Sequence, residues 1–147
     1  MGATGATGGA AATELRKQGR RVRGLVHKDD ARAETLRISG VEIITGDLLD
    51  LDSIRRAMEG VASAYFVYPL RDGLIDAAAF TAQAAIEAGV QSLVNMSQIS
   101  ARREAKSHAA RDHWVSERAF DWSGVPTTHL RPTFFAEWLL YPMPGGR

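Results

Sequence analysis

Short runs of β-prone residues at 22–26, 41–45, 64–68, 92–96 and 127–131 alternate with longer helix-like stretches at 10–18, 31–39, 51–59, 74–88 and 108–123. A Gly-Val pair marks most of the joins: Gly40-Val41, Gly60-Val61, Gly89-Val90 and Gly124-Val125, with Gly19 in the same part before Val22. Glycine tolerates the left-handed conformation of a C-terminal cap, so each helix stops there and an extended run follows. Asp30, Asp50 and Asp72 stand where helix N-caps belong. Strands alternating with helices through short loops predict βαβ units: an α/β fold with a doubly wound parallel sheet, covered on both faces. No linker or internal low-complexity tract divides the chain, so residues 1–147 read as one domain.

The chain opens on a glycine-rich run. Gly2, Gly5 and Gly8 are three residues apart, and Gly8-Gly9 leads straight into a helix-forming stretch. Glycines at the mouth of a helix let backbone N–H groups approach a phosphate, where the helix dipole favours negative charge. Gly2 would make the turn, Gly5 would admit the pyrophosphate, and Gly8 would let the helix pack closely. Thr4, Ala6 and Thr7 lie on the same loop, and the two threonines would add hydroxyl contacts. Past the run at 22–26 come His27, only partly charged at neutral pH, and Lys28, where an NADP-binding domain meets the 2′-phosphate with a cation and a carboxylate would favour NAD; the alternative is that Lys28 is a solvated surface charge. Asp29 and Asp30 read as helix caps before ribose ligands.

Composition narrows the classes. A chain of 147 residues, 45% apolar, is long enough for a core. A net charge of +1 gives no basic surface for nucleic acid. The absence of cysteine excludes disulfides, thiolate metal sites and a Cys nucleophile, and fits a reducing cytoplasm. His27, His108, His113 and His129 lack the spacing of a zinc site, so no metal is expected. No apolar run approaches the ~20 residues of a membrane span, and no signal peptide is apparent; a soluble, cytoplasmic protein is expected.

Both ends read as cut. A dinucleotide-binding glycine loop follows a strand, and none precedes this one. In strand order 3-2-1-4-5-6 that strand is the central one, and without it the runs at 22–26 and 64–68 lack their shared neighbour. Buried unpaired backbone groups there would cost about 1–3 kcal/mol each. At the other end, the apolar segment 134–141 has nothing after it to pack against; the alternative is that it docks on the sheet of a complete small domain.

Residues 2–9, Gly46-Asp47-Leu48-Leu49-Asp50, Asn95-Met96-Ser97-Gln98-Ile99-Ser100, and the stretch from Glu117 through Leu130-Arg131-Pro132 resemble, in order and spacing, the NmrA-like branch of the atypical short-chain dehydrogenases/reductases. The resemblance implies a Rossmann-like, NAD(P)-binding domain of a longer protein that has a leading strand and a C-terminal substrate part. It implies that Asp47 faces the adenine ring with Leu48 beside it, the alternative being a turn aspartate that caps the next segment. It places Tyr68 and Pro69 on the nicotinamide-ribose side and Thr133 and Phe134 at the nicotinamide edge.

The acid/base pattern departs from the wider superfamily. The usual Tyr-x-x-x-Lys pair falls on Ala109 and His113, so no phenol is available there. Ser97 and Ser100 flank the expected place of the catalytic serine. His113 is a substitute proton donor on this reading, or a buried or helix-paired structural histidine with Glu117 one turn on. Arg102, Arg103, Lys106 and His108 read as solvated loop charges.

Two functions follow from the resemblance. One is an NADP(H)-dependent oxidoreductase acting on a quinone, dye or similar acceptor, with solvent supplying the proton. The other is a non-catalytic NADP(H)-sensing regulator that acts through a protein partner. NAD is the less favoured cofactor, and neither nucleic acid nor membrane is an expected partner. A nucleotide-sugar epimerase, which needs the missing tyrosine, is disfavoured.

Overall fold

The structure, a computed structural model, describes residues 2–133 and Phe135. The elements run α1 (Ala6–Lys17), β1 (Arg23–Val26), α2 (Ala31–Ile38), β2 (Glu42–Thr45), α3 (Leu51–Met58), β3 (Ser63–Phe66), α4 (Leu74–Glu87), β4 (Ser92–Met96), α5 (His108–Ser123) and β5 (Thr127–Leu130). This is the alternation expected from the sequence. Gly19, Gly40, Gly60, Gly89 and Gly124 all take φ between +66° and +87°, so the left-handed stops hold at every join. Asp30 caps α2 by accepting from the N–H groups of Arg32 and Ala33, and Asp50 caps α3 through Asp52.

One helix start and one cap differ from expectation. α1 begins at Ala6, not at residue 10, so Gly8 and Gly9 lie inside the helix. Helix propensity disfavours glycine there by about 1 kcal/mol each, but a methyl group at Gly8 would overlap the Gly2 carbonyl oxygen. Close packing outweighs propensity. Asp72 does not cap α4; Gly73 does, at φ +96° and without a side-chain bond. A side chain at Gly73 would meet the Tyr68 hydroxyl, and that hydroxyl already donates to the Asp72 carbonyl at 3.1 Å.

All strand pairs are parallel, and they form two sheets. β1 pairs with β2, and β3, β4 and β5 pair in that order. Among the described residues no strand joins β1 to β3. Gly2 and Ala3 lie in the seam: the Ala3 N–H donates to the Leu25 carbonyl at 3.3 Å, and Gly2, at φ +69°, packs on Val67. The two faces of β1 feed two cores. Leu25 joins the larger one with Ile54, Met58, Leu93 and the edge-to-face rings of Phe66 and Phe120. Val26 joins Ala33, Leu36 and Val41 beneath α1 and α2. The buried alanines of α4 let it pack against both α3 and α5. No helix among the described residues is long and apolar enough to cross a membrane. The segment 134–141, apart from Phe135, lies outside the described residues.

Candidate functional site

The C-terminal ends of the strands open onto one cleft of about 890 Å³. In open α/β sheets this is where ligands bind. Gly2, Thr4, Gly5, Ala6 and Thr7 form its middle wall. The Gly5 N–H closes a tight turn onto the Gly2 carbonyl at 3.1 Å, and Gly9 is the first to bond back into the helix, to the Gly5 carbonyl at 2.8 Å. The first-turn N–H groups of Ala6, Thr7 and Gly8 therefore have no intrahelical acceptor. No side chain caps this end and no acid stands in the first turn. The combination of a positive dipole end, free donors and a backbone tight enough to exclude a Cβ suits a phosphate. Gly8 itself does not line the cleft; it sits behind the loop against Gly2.

On the β1–β2 side, His27, Asp47 and Leu48 line the cleft, with His27 Nδ1 3.7 Å from an Asp47 oxygen. Lys28 does not line it. In its place stands Arg32, which sequence reading passed over. Asp30 caps α2, and Arg32 in the first turn of that helix lines the cleft. Arg32 is clamped by Asp30 through Nη2 at 2.6 Å and Nε at 3.1 Å. Asp29 is tied to Arg37 at 2.8 Å, so neither aspartate is free for a ribose. The Asp47 carboxylate accepts from the Leu49 N–H at 2.9 Å, a turn-capping bond, and still borders the cleft.

On the β3–β5 side, Tyr68, Pro69, Ser97, His113, Pro132 and Thr133 line the cleft, joined by Arg71 and Gln98, which sequence reading did not single out. Arg71 stacks over the Tyr68 ring at 5.4 Å. Along α5, positions 113, 117 and 120 share one face. His113 lines the cleft, and Glu117 and Phe120 are fully buried beyond it. Glu117 joins three elements: it accepts from Ser97 Oγ at 2.6 Å and from Arg131 Nε and Nη2 at 2.8 and 2.5 Å. Burial alone would raise its pKa, but the Arg131 guanidinium and the Ser97 hydroxyl hold it below the ordinary value. The carboxylate is thus charged, and the single Ser97 proton is committed to it. Toward the cleft Ser97 offers lone pairs only.

His113 is buried, as one form of its structural reading expects, but it makes no hydrogen bond to Glu117. The carboxylate is taken by Ser97 and Arg131, while His113 Nδ1 is buried without a partner among the described residues. Burial lowers the His113 pKa against the pull of Glu117 and Asp112. α5 carries no tyrosine or lysine, and Ala109 is exposed. Arg102, Arg103, Lys106 and His108 are exposed too. Phe134 lies outside the described residues.

A model of the NmrA-like family matches residues 1–144. The chain is 34% identical over 147 residues to a (4-alkanoyl-5-oxo-2,5-dihydrofuran-3-yl)methyl phosphate reductase of Streptomyces griseus, covering 99% of this chain and 50% of the relative. It is 29% identical over 140 residues to an NAD(P)H azoreductase of Xenophilus azovorans, covering 95% of this chain and 49% of the relative. The chain thus spans about half the length of the curated relatives it matches. Among solved structures it is similar to Citrobacter sp. triphenylmethane reductase complexed with NADP(H), at TM-score 0.80 and 25% identity over 94% of this chain and 50% of that one. An NADPH-dependent quinone oxidoreductase of Escherichia coli shares the fold at TM-score 0.81 and 24% identity, over 95% of this chain and 50% of that one.

Proposed function

The chain belongs to the NmrA-like family, and from that premise we propose that it forms the NADPH-binding half of a reductase that passes hydride to a quinone-like, dye-like or similarly electron-poor acceptor. The observation that carries this reading is the uncapped start of α1, which opens onto a cleft running continuously from His27 and Arg32 to Ser97 and His113. NADPH fits these residues. The N–H groups of Ala6 and Thr7 would hold the pyrophosphate, and His27 with Arg32 would hold the 2′-phosphate. Leu48 would pack at the adenine, and Tyr68 and Pro69 would wall the nicotinamide ribose. When bound, the cofactor supplies a hydride. The Tyr68 hydroxyl and the Ser97 proton are both engaged inside the protein. The proton that completes reduction therefore comes from solvent, which suits acceptors that take hydride without prior protonation.

The purified protein is expected to oxidise NADPH when duroquinone is added, followed by loss of NADPH fluorescence. Saturable NADPH binding without turnover on quinone or azo acceptors would overturn the reductase reading. It would favour the sensing regulator, for which the absence of tyrosine and lysine from α5 speaks.

Cofactor choice is tested separately. Losing a charge-assisted bond to the 2′-phosphate costs about 1.5–3 kcal/mol, roughly 10- to 100-fold in affinity. Arg32→Glu is expected to weaken NADPH by at least that factor and to leave NADH within a few-fold. Lys28→Glu, outside the cleft, is expected to do much less. Equal losses of NADPH and NADH on Arg32→Glu, measured by fluorescence titration, would contradict the assignment.

A further inference from the structure

We propose that His113 donates a hydrogen bond from its Nε2–H to the acceptor atom that gains negative charge, an inference that rests on the reductase reading. At the β3–β5 side of the cleft the Tyr68 hydroxyl is spent on the Asp72 carbonyl, and the Ser97 hydroxyl is spent on Glu117. His113, only 5% exposed, lines the same wall beside Arg71, Gln98 and Thr133, and it is the buried one of these with a titratable ring. Its two ring nitrogens are not equivalent. Nδ1 is sealed and has no partner among the described residues, which leaves Nε2 as the nitrogen open to the cleft.

A buried N–H without a partner is rarer than an under-satisfied acceptor. The proton therefore sits on Nε2, and Nδ1 keeps its lone pair. Burial disfavours the imidazolium and outweighs the opposing pull of Glu117 and Asp112. His113 is a neutral donor, not an acid. A second unsatisfied group stands on the same wall: Gln98 Nε2 is buried without a partner and Gln98 lines the cleft. Two N–H donors on one wall, His113 Nε2 and Gln98 Nε2, unpartnered among the described residues, suit a ligand that brings an oxygen.

The chemistry balances with the groups named. Hydride from NADPH forms a C–H bond on the acceptor, and the electron pair of its conjugated carbonyl moves to oxygen as an anion. That anion takes a hydrogen bond from Nε2–H and is then protonated by water, while His113 keeps its proton. A preorganised neutral donor aimed at developing charge contributes roughly 100-fold or more in rate. The substrate class narrows to carbonyl acceptors whose oxygen receives charge, such as quinones and enones.

The test combines spectroscopy with kinetics. In 15N-histidine-labelled protein loaded with NADP+, which cannot transfer hydride, the His113 resonance is identified by its loss in His113→Gln. It is expected to show the Nε2–H tautomer, and its Nε2 signal is expected to shift as duroquinone saturates the site. His113→Phe is expected to lower kcat with duroquinone by roughly 100-fold, with NADPH affinity within twofold, and His113→Gln, which retains an N–H donor, to recover most of the loss. An Nδ1–H tautomer, an unmoved Nε2 at saturating duroquinone, or an unchanged kcat in His113→Phe would each overturn the proposal. An Nε2 shift in a wild-type protein that shows no turnover would sustain the hydrogen bond and overturn the reductase reading instead.

Discussion

Gly8→Ala is expected to raise the NADPH dissociation constant by roughly 100-fold or more. The methyl group would overlap the Gly2 carbonyl oxygen, and it would also lie 3.0 Å from the Gly2 carbonyl carbon and 3.2 Å from the Ala3 Cα. These are backbone atoms, so no side-chain rotation relieves the clash. α1 must withdraw from the loop, and the N–H groups of Ala6 and Thr7 withdraw with it. Charge-assisted bonds are worth about 1.5–3 kcal/mol each, so displacing two of them accounts for the loss. Gly60→Ala is the control. Gly60 has nothing within 4 Å of its would-be Cβ but sits at φ +69°, so it should cost about 1 kcal/mol of stability and leave binding intact. Calorimetric titration of both variants decides the matter; wild-type affinity in Gly8→Ala would remove the phosphate role from this loop.

Glu117→Gln is expected to cost about 3 kcal/mol of stability, the lower end for breaking a buried ion pair, because Arg131 is 43% exposed and can be rehydrated. At about 2–4 °C per kcal/mol for a chain of this size, the thermal midpoint should fall by roughly 10 °C. The pH dependence carries its own sign. The folded pKa of Glu117 is depressed. Its contribution is therefore fully present above the unfolded value of about 4.3 and is lost as pH falls through the lower folded value. Glu87, held at about 2 by Arg55, and the capping Asp30 and Asp50 titrate the same way, so the difference between wild type and Glu117→Gln isolates the one residue. The wild type should lose more stability than the variant between neutral pH and the acid end. Parallel acid curves would show that Glu117 contributes nothing through its charge.

The strands and helices were legible because their signals are local. A glycine with positive φ ends each helix, and an aspartate two or three residues before a free N–H caps two of them. The start of α1 was not legible, since Gly8 and Gly9 argue against a helix and only the packing on Gly2 overrides them. Asp72 looked like a cap until its carbonyl proved to be the acceptor for Tyr68. At the site, the sequence gathered most of the cleft lining, including Ser97 and His113. It passed over Arg32, on the first turn of α2, which lines the cleft, whereas Lys28, read either as a phosphate contact or as a solvated charge, does not. The partners of Glu117 lie 20 residues before it and 14 after it. No periodicity links such positions, so from the sequence the partner in view was His113, one turn away.

Gly2 and Ala3 tie the two sides of the cleft to each other: the Ala3 N–H bonds the Leu25 carbonyl on one side, and Gly2 abuts Val67 on the other. A bulkier residue at Gly2, forced against the Val67 carbonyl at φ +69°, would therefore disturb both sides at once.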